Sequence, residues 1–114
     1  MASAEECREA LQKLSGRLSE MNPGDRASYF GNRSMSCKVT DLGVTFVTRF
    51  TDNGADPVTE AAPDAPPADI RLEASSDDVL HLAETPANIA RMWVAGKVKV
   101  HASMRDLFAL RKLL

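Results

Sequence analysis

The spacing of apolar residues divides the chain into helices and strands before any other property is considered. Ser3 and Glu6 form a capping box, in which each side chain accepts from the other residue's backbone N–H at a helix start. Cys7, Leu11, Leu14, Leu18 and Met21 then recur every three or four residues, which places them on one helical face. Asn22, Pro23 and Gly24 end that helix. Residues 25–32 are polar apart from Tyr29 and Phe30 and read as a connecting loop. From Arg33 to Thr40 the pattern changes to period two, with Met35, Cys37 and Val39 set against Ser34, Ser36, Lys38 and Thr40. After Asp41-Leu42-Gly43 the alternation resumes in Val44, Phe46 and Phe50, so the two runs predict a β-hairpin whose glycine is free to take positive φ.

The next stretch, Thr51 to Ala68, carries four prolines, four acids and no aromatic residue. Such a segment buries too little apolar surface to offset the entropy of ordering it, and it predicts a long exposed loop with a short edge strand near Val58. Alternation returns with Ile70, Leu72 and Ala74 inward and Asp69, Arg71 and Glu73 outward. Ser75, Ser76, Asp77 and Asp78 start a helix that runs to about Ala83, its acids placed where the helix dipole favours negative charge. Thr85 and Pro86 start another, which presents Ile89, Met92 and Trp93 and stops at the C′ glycine Gly96. Val98 and Val100 alternate with Lys97, Lys99 and His101 as a half-buried strand, and Ser103 caps a last helix from Met104. Helices and strands in this order predict an α+β fold, a mostly antiparallel sheet with helices packed on one face.

At 114 residues there is room for one domain, residues 1–114. A net charge of −2 and 5% aromatic residues exclude a nucleic-acid partner, which needs a basic footprint or stacking platform. Cys7 and Cys37 have neither metal nor redox spacing and fall on apolar faces, as buried free thiols do. No apolar run reaches the roughly 18 residues of a membrane span, and the acidic start lacks the pattern of a signal peptide, so the cytoplasm is the expected compartment.

The last helix is the most apolar element. Seven of its eleven residues, Met104 to Leu114, are apolar or Ala. They cover roughly twice the ~100° stripe that docking onto a sheet requires. Arg111 lies inside that arc, between the directions of Leu107 and Met104. Its guanidinium can snorkel out of the last turn or meet a carboxylate or phosphate headgroup.

The strand DIRLEA, the capped helix SSDDVLHL, the AGKVKV strand and this terminal helix together resemble the sterol carrier protein-2 family, the sterol-binding or nonspecific lipid-transfer domain. Gly96 to Val100 is the most specific fragment. The resemblance implies a five-stranded sheet with helices on one face and an apolar cavity between the layers. A sterol, fatty acid or fatty acyl-CoA would be held there with no chemistry performed and no cofactor. On this mapping Val98, Val100, Met104, Leu107, Phe108 and Leu110 line the cavity, Phe46 contributes from the hairpin, Met92 and Trp93 stand near the mouth, and Arg111 meets the headgroup. Transient contact with a membrane is compatible with such a carrier. The alternative is an interaction or regulatory module that keeps the fold while side chains fill its cavity.

Other chemistry is sparse. Asp77, His81 and Glu84 share a helix face, but two acids beside one His read as a solvated surface rather than a metal site. Nine acids from Thr51 to Glu84 face Arg71 alone, and six bases from Arg91 to Leu114 face Asp106 alone. That segregation is a solvated sheet and helix surface, or a basic mouth for acidic headgroups. No Gly-x-Ser-x-Gly elbow, phosphate-cradling glycine loop or Cys–His motif is present, so catalysis has no visible carrier.

Overall fold

A computed structural model of the chain describes residues 2–19, 33–51, 54–62, 64–84, 87–105 and 107. In chain order these form α1 (Ala4–Ser19), β1 (Ser34–Val39), β2 (Val44–Thr51), β3 (Gly54–Ala55), β4 (Thr59–Glu60), β5 (Ile70–Ala74), α2 (Ser76–Glu84), α3 (Ala87–Val94) and β6 (Lys99–His101). The predicted helix end at Met21 to Gly24, the loop 25–32, the caps Thr85 and Pro86, and Phe108, Leu110 and Arg111 lie outside the described residues. So do the side chains of Leu18 and Ile89.

Local signals become local structure where they are strongest. The capping box forms as its sequence requires: the Ser3 N–H donates to Glu6 Oε1 at 3.1 Å and the Glu6 N–H to Ser3 Oγ at 3.1 Å. The hairpin pairs Val39 with Val44 and Cys37 with Phe46, and Gly43 takes φ 67° in the turn between. At the end of α3, Gly96 has φ 77°, its N–H donates to Trp93 O at 3.1 Å, and the Lys97 N–H donates to Met92 O at 2.8 Å. Those two bonds make a Schellman motif, which turns the chain from α3 into β6.

The sheet order is β3-β2-β1-β5-β6, with β4 also paired to β2. Since β3 and β4 share the edge beside β2, the sheet is five strands wide. It is mostly antiparallel, as expected, but β1 and β5 run parallel. This pairing shapes the middle of the molecule. The chain leaves β4 on one side of β2 and must reach β5 on the far side of β1. The helices hold one face of the sheet, so residues 61–62 and 64–69 cross the other. The expected exposed loop is therefore a strap. Its start is pinned to the sheet edge, where the Ala61 N–H donates to Thr45 O at 2.8 Å.

Burial follows the strand alternation. Met35, Cys37 and Val39, Phe46 and Phe50, and Ile70, Leu72 and Ala74 all face the helices and are buried. α1 and α2 lie against each other over this face and supply Cys7, Leu11, Leu14, Val79 and Leu82 to a single core. Polar contacts fix their positions. The Arg17 guanidinium donates to Ala83 O at 3.0 Å and to Glu84 O, a cation on the C-terminal carbonyls of α2, where the helix dipole favours it. The Val58 N–H donates to Gln12 Oε1 at 2.8 Å and ties the strap's approach to α1.

Candidate functional site

Between α1 and the sheet the packing leaves a small void. Leu11 and Leu14 close it from the helix, Met35, Cys37, Phe46 and Leu72 from the sheet, and Val58 from the edge. These residues meet there because a three-four stripe on α1 lies over a period-two face of β1, β2 and β5. The void has a volume of about 20 Å³, room for about one water molecule. Its lining is chemically quiet. Two of the hydroxyls beside it are satisfied by backbone: Ser15 Oγ donates to Gln12 O at 3.0 Å and Thr48 Oγ1 to Asp56 O at 2.6 Å. Burial, with the neighbouring Cys7, pushes the Cys37 thiol up to about 12, so it stays protonated and inert.

The ligand residues expected from the sequence are not brought to one place. Phe46 lines the void. Met92 and Val98 are buried in the same core, 8% and 1% exposed. Trp93 and Val100 pack against that core but remain half-buried, as does Ala102 just after β6. Leu107 is half-buried, whereas Met104 is 68% exposed. Phe108, Leu110 and Arg111 lie outside the described residues. Ser103 performs its capping place in part, since the Leu107 N–H donates to Ser103 O at 2.9 Å in the first turn.

Sequence reasoning missed the α1 and edge contributions to the void. The signal was present in the stripe Leu11 and Leu14, but a stripe alone does not separate residues that touch a cavity from residues that fill a core. Outside the void, Asp77, His81 and Glu84 sit on α2, with His81 and Glu84 exposed and 3.6 Å apart. Among the described residues no three His, Cys, Asp or Glu side chains are grouped to hold a metal. Nor is any described helix long and apolar enough to cross a membrane.

The family model of the SCP-2 sterol transfer family matches residues 2–114. Among solved structures, sterol carrier protein domain 2 of Helicoverpa armigera is similar over 98% of this chain and 89% of that one, at 19% identity and a TM-score of 0.68. The ubiquinone synthesis protein UbiJ-SCP2 is similar over 93% of this chain and 90% of that one, at 14% identity and a TM-score of 0.66. Palmitated SCP2L2 from Aedes aegypti is similar over 98% and 95%, at 14% identity and a TM-score of 0.60. At such identities these likenesses show a shared fold. No curated protein sequence matches the chain significantly.

Proposed function

The chain belongs to the SCP-2 sterol transfer family, and from that premise we propose that it is a carrier which shields one apolar lipid from water and performs no chemistry on it. The observation that carries this reading is the β6 end of the core. There Trp93, Val100 and Ala102 pack against buried residues yet stay partly exposed, so the apolar layer reaches the surface at this edge. Leu107, Phe108 and Leu110 would close over a hydrocarbon chain there, with Met92 and Val98 behind it and Phe46 deeper in the core. Arg111 or Lys112 would meet the carboxylate or phosphate of a fatty acid or acyl-CoA, and a sterol would use the apolar wall alone. The driving force is removal of hydrocarbon from water, about 0.8 kcal/mol per buried CH₂. Because the interior void holds only about 20 Å³, loading requires α1 to move away from the sheet. The cytoplasm remains the compartment we assign.

That same small void favours a second reading, an interaction module whose cavity is filled by its own side chains. Displacement of a fluorescent fatty acid by palmitate, followed in parallel by native mass spectrometry, separates the two. Saturable one-to-one binding supports the carrier. If no lipid binds at micromolar protein, the carrier reading fails and the closed module stands. The Phe108→Asp variant sharpens the result: a carrier loses ligand and stays folded, whereas a filled core loses stability outright.

A further inference from the structure

The strap, at Ala61, Ala62 and Ala65 to Ala68, roofs part of the sheet face that carries no helix, and beneath it lies a groove of about 460 Å³. That volume falls within the range of small-molecule sites and is far larger than the interior void. The two walls differ in chemistry. Ala65, Pro66, Pro67 and Ala68 form the roof, where methyl groups and pyrrolidine rings dominate and the prolines offer no N–H. The floor is the outward alternation of three strands. Arg71 stands in register between Ser36 of β1 and His101 of β6, with Lys38 and Glu73 forming the next row.

The floor carries two cations, Arg71 and Lys38, against the one carboxylate of Glu73. Glu73 Oε2 lies 2.8 Å from His101 Nε2, and that hydrogen bond, aided by Lys38 and Lys99, holds its carboxyl below its usual range. Glu60 borders the groove but is in register with Phe46, which points to the helix face, so strand alternation turns its carboxylate away. The exposed Arg71 side chain makes no ion pair or hydrogen bond among the described residues. An arginine fork on this floor, under an apolar roof, matches a planar anion joined to a short apolar body.

The geometry points to a second ligand site on the sheet face opposite the helices, which takes a small organic anion, a phosphate or carboxylate on a compact apolar group. Arg71 binds the anion through its fork, Lys38 adds charge, and the alanine–proline strap covers the apolar part. This site shares no side chain with the lipid site proposed above, so each stands or falls alone.

Titration of the ¹⁵N-labelled full chain with phenyl phosphate, read by amide chemical shifts, tests the assignment. The expected result is saturable shifts at Ser36, Lys38, Arg71 and His101, with Leu14 and Leu82 in the core unmoved. Arg71→Gln should weaken binding about tenfold or more, and Ala65→Glu, on the exposed roof, should weaken it as well. Fatty-acid displacement should be the same in both variants as in the parent chain. Absent or core-centred shifts, or an Arg71→Gln variant that binds equally well, would overturn the site. Inorganic phosphate binding as tightly as phenyl phosphate would remove the apolar half of the claim, and phenol binding as tightly would remove the anionic half.

Discussion

Ser76 Oγ, fully buried at the start of α2, donates to Asp41 Oδ2 at 2.6 Å and accepts from the Ala2 N–H at 3.1 Å. The Ser76 N–H donates to Asp41 Oδ1 at 2.8 Å, so the hairpin turn caps α2 across the fold. These bonds hold the Asp41 carboxyl below its usual range. A carboxyl depressed in the folded state adds stability that is complete above its unfolded value, about 3.9 for Asp, and is lost as pH falls toward the folded one. The urea midpoint should therefore drop below about pH 4. Asp41→Asn should have a lower midpoint at pH 7 and a shallower acid limb; an unchanged limb would remove Asp41 from the account. The thiols offer a second check. Cys7 and Cys37 are 0% and 3% exposed, and burial raises both. Ellman's reagent at pH 8 should label neither in the folded protein and both in urea, because the thiolate is the reactive form.

At the scale of elements, α1 is held by packing rather than by helix propensity, as the burial of Cys7, Leu11 and Leu14 under the strands indicates. Leu14 is 2% exposed and already borders a void, so Leu14→Ala enlarges a space its neighbours cannot collapse into. We expect a loss of about 3 kcal/mol in urea unfolding, with the slope of the transition unchanged. A loss well under 1 kcal/mol would mean that α1 relaxes onto the sheet and that the layers are less rigidly spaced than they look. The strap obeys a different rule. Its prolines and acids give it little to bury, yet topology obliges it to cross the sheet, and so it encloses a groove without forming a core.

For the whole molecule, binding and stability are linked. A ligand that binds only the folded state at a concentration 100 times its Kd adds about 2.7 kcal/mol, which for a domain of this size raises Tm by roughly 10 °C. Palmitate should produce such a rise if the β6 edge admits a chain. The rise should vanish in Phe108→Asp and persist in Arg71→Gln. A Tm independent of palmitate would instead match a fold whose interior is closed at about 20 Å³.

The amino-acid sequence by itself determined whatever depends on near neighbours. The capping box at Ser3 and Glu6, the hairpin around Gly43, the inward residues Ile70, Leu72 and Ala74, and the stop at Gly96 all rest on interactions within about six residues, and each was legible. The AGKVKV segment with the elements around it also carried the family. Three properties came from tertiary structure alone. The parallel pairing of β1 and β5 depends on which edge each strand finds, and that is decided by contacts 35 residues apart, as in Met35 with Ile70. The size of the interior void depends on how closely α1 settles on the sheet, which periodicity cannot encode. The cationic groove exists only because the strap must cross one particular face. In the sequence, Arg71 was no more than the lone base in an acidic stretch; folding set it between Ser36 and His101, beneath a roof of proline.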